Sequence, residues 1–138
     1  MSTDIRIERV LKAPIEAVYD AWTRAEVLAS WYCPNPALAL TVEADVRVGG
    51  AYVVEMGPYV VRGNYLEVEP PHRLAFSWSW DTDDDAPSTV RVELTAVEDG
   101  TRMLLTHTGF ATAEDATNHL QSWGPELDRL DGLLAHLP

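Results

Sequence analysis

Apolar and polar residues alternate along most of this chain, at the two-residue period of strands with one buried face. Ile5 and Ile7 alternate with Arg6 and Glu8, a half-buried first strand. Leu38, Leu40 and Val42 alternate with Ala39, Thr41 and Glu43, and Tyr52, Val54 and Met56 with Val53 and Glu55. Gly49-Gly50 separates these two runs and predicts a turn or bulge needing positive φ. Gly57-Pro58 leads into a strand from about Tyr59 to Glu69, which Pro70-Pro71 ends because neither residue can donate to a ladder. Gly63 marks a bulge within it. Leu74, Phe76, Trp78 and Trp80 share one face of the next strand, with Ala75, Ser77 and Ser79 on the other. Val90, Val92, Leu94 and Ala96 alternate with Arg91, Glu93 and Thr95. Asp99-Gly100 is a tight turn into a last strand, where Met103, Leu105 and His107 point one way.

Two stretches change period. After Ala13-Pro14, with Pro14 suited to a first helical turn, Ile15, Val18, Tyr19 and Trp22 follow helical spacing. A second short helix carries Val27, Leu28 and Trp31 before Pro34 and Pro36 end it. Beyond Gly109-Phe110, the residues Leu120, Trp123, Leu127, Leu130, Leu134 and Leu137 form one apolar stripe. Pro125 would remove the bond to Gln121, so the reading is a short helix near Ala113–His119, a bend, and the main helix from about Ser122.

The order is strand, two short helices, six strands and a long helix, with hairpin-length connections that imply an antiparallel sheet. The final helix must bury its stripe, and the concave face of that sheet is the surface large enough. This predicts an α+β fold in which a curved antiparallel sheet grips a C-terminal helix. The 138 residues suit a single domain spanning 1–138, with no repeats and no linker.

Charge narrows the partners. The chain carries 22 acidic and 10 basic residues, a formal net charge of −12, and Lys12 is its one lysine. Nucleic acid and anionic membrane surfaces both require a basic face, so neither is an expected partner. Cys33 is the single cysteine, which rules out an intrachain disulfide and leaves a cysteine-based zinc site without partners. No apolar h-region follows Met1 and no apolar run approaches membrane-spanning length, so the expected location is the cytoplasm.

Several segments resemble a known family. Ala13-Pro14, Ala21-Trp22-Thr23 and Trp31-Tyr32 look like the opening of the SRPBCC (START-like) superfamily. More closely, they look like the branch named after the C-terminal domain of the heat-shock protein 90 ATPase activator. The likeness continues through Asp45–Gly50, Pro70–Trp78 and Gly100–Phe110 and closes with Trp123, Leu127 and Leu130. It implies the helix-grip fold and a cavity between the long helix and the sheet, used in related proteins for lipids, sterols, polyketides and other apolar molecules. Ser122 stands where the family usually has Gly, and Pro125 is unusual there; both alter the helix beside the cavity.

Candidate chemistry is sparse. Trp31, Tyr52, Phe76, Trp78, Trp80, Phe110 and Trp123 form an aromatic inward set that either lines a pocket for a small hydrophobic or aromatic ligand or fills the core. His107 faces inward as a ligand anchor, an acid/base group, or a structural histidine; the last is preferred because spacing shows no second catalytic group. Tyr65 and Tyr59 are secondary polar contacts, and His119 reads as exposed or capping. Tyr32 and Cys33 carry no nucleophile motif, and Asp81–Asp85 reads as a solvated hairpin tip without the glycine and terminal glutamate of a calcium loop. No catalytic residue, metal site or cofactor is expected. Three functions remain: a small-molecule binder, a co-chaperone-like protein-interaction module, and a cyclase- or hydrolase-type enzyme using His107 with a tyrosine. The expected assembly is a monomer or a homodimer.

Overall fold

The alternating segments form seven strands in a computed structural model of the protein, which describes residues 4–24, 27, 28, 31, 40–56, 59–80, 88–109 and 113–135. The strands are β1 (Ile5–Leu11), β2 (Leu40–Ala44), β3 (Ala51–Met56), β4 (Tyr59–Glu69), β5 (Arg73–Trp80), β6 (Ser88–Val97) and β7 (Gly100–Thr108). They make one antiparallel sheet in the order β1-β7-β6-β5-β4-β3-β2. Two helices cover it, α1 (Ile15–Thr23) and α2 (Ala113–Ala135). Val27, Leu28 and Trp31 are also helical, as the spacing predicts. The fold is the expected α+β helix grip.

Side-chain alternation sets what each strand buries. On β5, Leu74, Phe76 and Trp78 are buried; on β6, Val90, Val92 and Leu94; on β7, Met103, Leu105 and His107. Ala96 departs from the pattern and is exposed, because it pairs with Thr101 at the turn end of the β6–β7 hairpin, beyond the covered part of the face. The buried Thr101 hydroxyl donates to the Ala13 carbonyl at 2.8 Å and fixes the corner where β1 hands over to α1. α1 then buries Ile15, Val18, Tyr19 and Trp22, the four positions of its helical stripe.

Two glycines have specific work. Gly49 has φ 84°, the left-handed conformation that the Gly-Gly pair predicts, and the loop around it is stitched to β4. Gly49 N donates to the Tyr65 carbonyl at 2.8 Å, and Tyr65 N to the Gly50 carbonyl at 2.9 Å. Gly63 does not mark the bulge; the register of β4 on β5 slips between Tyr65 and Glu67, which puts the extra residue at Leu66. A glycine is needed at 63 because a Cβ there would fall onto the Ser77 carbonyl and the Tyr52 ring.

The division expected before Ser122, into a short helix and a main one, is absent. α2 is a single helix from Ala113 to Ala135 with Pro125 inside it. Proline costs the helix a hydrogen bond, but Trp123, Leu127, Leu130 and Leu134 are buried on both sides of it and hold the two halves to one surface. Gly124 lacks the Cβ that a following proline ring would crowd, which eases the helical conformation at that position.

Candidate functional site

α1 ends over the open half of the sheet, and a hollow lies beneath it. Trp22 and Leu28 roof the hollow, Tyr52 and Val54 come from β3, Tyr65 from β4 and Phe76 from β5. The hollow is small, with about 20 Å³ open to a water-sized sphere, room for about one water. The aromatic walls meet at steep angles. Tyr52 and Phe76 are edge to face at 5.4 Å between centroids, and Tyr65 and Phe76 at 6.1 Å.

The polar atoms around the hollow fall into two groups. Tyr52 is committed, its hydroxyl donating to the Ser77 carbonyl at 2.6 Å. Trp22 Nε1 and the Tyr19 hydroxyl are buried and have no hydrogen-bond partner among the described residues. Burial, then the neighbouring Tyr19 hydroxyl and the Asp45 carboxylate, push the Tyr65 phenol up to about 12. Burial also raises the Tyr19 phenol, with Glu69 adding to it. Both hydroxyls are therefore neutral donors at physiological pH.

The inward set of the sequence divides here. Tyr52, Tyr65 and Phe76 line the hollow, whereas Trp31, Trp78, His107 and Trp123 are buried but do not line it. Trp31 packs edge to face on Trp22 at 4.8 Å, and its indole N–H donates to the Ala21 carbonyl at 2.9 Å. His107 is wholly buried in a relay. Trp123 Nε1–H donates to His107 Nδ1 at 3.2 Å, so Nδ1 carries the lone pair and Nε2 the proton. Nε2 lies 2.7 Å from the Ser88 oxygen, which donates onward to the Trp78 carbonyl at 3.2 Å. Both ring nitrogens of His107 are thus engaged.

The sequence reading roofed the cavity with the long helix. α2 instead lies directly on β1, where Arg9 and Asp128 pair at 2.8 Å, and it reaches the hollow's roof through Trp123, 6.0 Å from Trp22. Trp22 and Leu28 were read only as helix positions; the signal was available, since both fall on apolar helical faces just before the strands they cover. The Trp80 side chain, Phe110, Tyr32, Cys33, Asp81–Asp85 and the Tyr59 and His119 side chains lie outside the described residues.

One acid is also buried. Glu126, on the inner stripe of α2, is 8% exposed, and burial pushes its carboxyl well above the usual carboxylate range, Arg129 only partly offsetting this. Among the described residues no three His, Cys, Asp or Glu side chains gather as a metal would require. Among the described residues no helix is long and apolar enough to cross a membrane.

Residues 12–135 match the family described as activator of Hsp90 ATPase homolog 1-like protein, AHSA1. The chain belongs to the AHSA1 family. Solved structures of similar proteins agree with the AHSA1 fold. Protein CV1439 from Chromobacterium violaceum is 28% identical, with TM-score 0.85 and 96% of each chain covered. The AHSA1 protein SPO3351 from Silicibacter pomeroyi is 29% identical, with TM-score 0.80 over 96% of this chain and 97% of that one. A Rhodobacter sphaeroides protein is 25% identical, with TM-score 0.84 over 100% and 95%. No curated protein matches this AHSA1 chain.

Proposed function

We propose that this AHSA1-family chain is a binding protein for a small hydrophobic or aromatic molecule, held in the hollow between the end of α1 and strands β3 to β5. The observation that carries this reading is the lining itself: six apolar or aromatic side chains converge on open space under a helix end. Affinity would come from burying ligand surface, at about 25 cal/mol per Å² before ordering costs. At about 20 Å³ the hollow is far smaller than the roughly 300–1,000 Å³ of pockets for drug-sized ligands, so a ligand would have to widen it by displacing side chains of its lining. A compact ligand calls for less widening than a four-ring sterol.

The other readings draw less support. Enzymatic use of His107 competes with hydrogen bonds that already occupy both ring nitrogens. A protein-docking face calls for a contiguous apolar patch. Among the described residues the large exposed apolar side chains are Val10, Val48 and Leu66, on β1, the β2–β3 turn and β4. β7, β6 and β5 separate β1 from β4.

Thermal unfolding against single-ring, fused bicyclic, acyl and sterol compounds tests the proposal. A ligand at a hundredfold its dissociation constant stabilises by about 2.7 kcal/mol, a rise of several degrees in Tm. Compact aromatics should give that rise, and Phe76→Ala or Val54→Trp should abolish it. No rise with any compound, in protein free of co-purified ligand, would overturn the reading.

A further inference from the structure

The sheet is open, and β1 is one of its two edges. Along one side β1 pairs with β7 without a break from Ile5 to Leu11; along the other no described strand lies against it. An open edge presents a row of unmet N–H and C=O groups, and proteins usually blunt it with proline, a bulge, lysine or a very short strand. β1 has none of these. It runs for seven residues, Ile-Arg-Ile-Glu-Arg-Val-Leu, without proline, glycine or lysine. Arg6, Glu8 and Val10 alternate along its outer face, and all three are exposed. Ile7 lies on the inner face, packed against the core.

We propose that β1 is a docking edge for a second copy of this chain, the two β1 strands pairing antiparallel about a two-fold axis at Ile7 and joining two sheets into one. A two-fold axis normal to the sheet keeps outer face with outer face, so opposite residues share a face and the axis passes through a residue position. Within Ile5–Leu11 three such registers overlap by five residues or more, centred on Ile7, Glu8 and Arg9. Centring on Glu8 sets that carboxylate against its own copy, and centring on Arg9 does the same with a guanidinium. Centring on Ile7 sets Arg6 of each chain opposite Glu8 of the other, and Ile7 against Ile7 on the inner face. Opposite charges facing each other across antiparallel strands attract, and like charges repel. The strand is therefore self-complementary in one register.

Charge also selects this edge over the other. The whole chain has a net charge of −12, which keeps copies apart, but β1 carries two arginines and one glutamate and so a net charge of +1. β2, the opposite edge, carries Glu43 and no basic residue, so two copies meeting there would bring acid to acid. Within its own chain Glu8 holds Arg102 only loosely, at 3.7 Å with both side chains exposed, a contact that contributes little and leaves the carboxylate able to turn toward Arg6 of the second copy. Five paired residues from each chain make a contact smaller than the standard interface of about 1,600 Å², so the association is weak and belongs at high protein concentration.

Sedimentation equilibrium from micromolar to millimolar protein, at low salt, tests this with two charge reversals. The unmodified chain should form a dimer within that range. Arg6→Glu places carboxylates opposite each other at both outer pairs, and Glu8→Arg places guanidinium groups there. Each variant alone should associate at least about tenfold more weakly. Mixed in equal amounts, the two variants should associate with each other as tightly as the unmodified chain does, because both pairs across the axis are again opposite in sign. Both positions are exposed, and a thermal unfolding transition shows that each variant is folded. A dimer centred on Glu8 would not weaken with Arg6→Glu, since Arg6 would then face Val10. A monomer at every concentration would overturn the proposal. So would a dimer that either single variant leaves unchanged, or weakening that the mixture does not reverse.

Discussion

Trp123 on α2 and His107 on β7 are joined by a buried hydrogen bond, indole N–H to Nδ1 at 3.2 Å, and it determines which imidazole nitrogen carries the proton. From there the relay runs through the Ser88 hydroxyl to the Trp78 carbonyl, so one histidine links the helix to two neighbouring strands. Trp123→Phe keeps a ring in place and strands Nδ1, at a cost of about 1–3 kcal/mol. His107→Leu strands the indole N–H instead. Because the two residues act as one unit, the double variant should lose less than the sum of the singles, by about 0.5–3 kcal/mol. Urea unfolding of the four proteins measures this, and strict additivity would show that the bond contributes nothing.

Glu126 makes stability fall as pH rises. Unfolded, its carboxyl titrates near the ordinary 4.5; folded, burial holds the proton to higher pH. Between those two values unfolding releases a proton, so the group's contribution is full below 4.5 and is lost as pH climbs through the folded value. Glu126→Gln should remove this slope. The variant should match the parent protein in acid and exceed it near neutral pH by about 0.5–2 kcal/mol, read by thermal unfolding across the range.

The two tyrosines beneath α1 predict alkaline behaviour. Tyr65 should ionise at about 12 against an ordinary 10.0. Its contribution to stability is therefore complete below 10.0 and is lost between there and about 12. Spectrophotometric titration should show this late step, absent in Tyr65→Phe. Tyr19→Phe should bring the step to lower pH, since Tyr19 helps to raise it. The same change removes an unpartnered hydroxyl, so it should leave stability unchanged or slightly raised.

Opposite outcomes are expected at two glycines. Gly63→Ala drives a methyl onto the Ser77 carbonyl and the Tyr52 ring, and should cost about 1–3 kcal/mol or more while disturbing the wall of the hollow. Gly132→Ala, on α2 with open space around its Cβ position, should stabilise by about 0.5–1 kcal/mol. Chemical denaturation of the two variants checks both signs.

Strands were legible because a sheet with one buried face imprints a two-residue period, as in Leu74, Phe76 and Trp78. Pro125 misled because a local rule gave way to tertiary burial on either side of it. The described members of the aromatic set, Trp31, Tyr52, Phe76, Trp78 and Trp123, are buried as the period predicts but were not sorted, since period alone tells which side chains face inward and not which meet empty space. Trp22 escaped for the same reason. Trp22 lines the hollow and its buried indole N–H has no partner among the described residues, and sequence patterns record residues rather than unmade bonds.

The sheet order joins the beginning of the chain to its far end. β1 pairs with β7 along its whole length, from Ile5 opposite His107 to Leu11 opposite Thr101. During synthesis β1 leaves the ribosome with no strand to join until about a hundred more residues have followed, an interval of roughly 5–20 s at ordinary elongation rates. The other strands can zip hairpin by hairpin as they emerge. Closure of the sheet is therefore a late event, and the first strand is the segment that nascent-chain chaperones would have longest to meet.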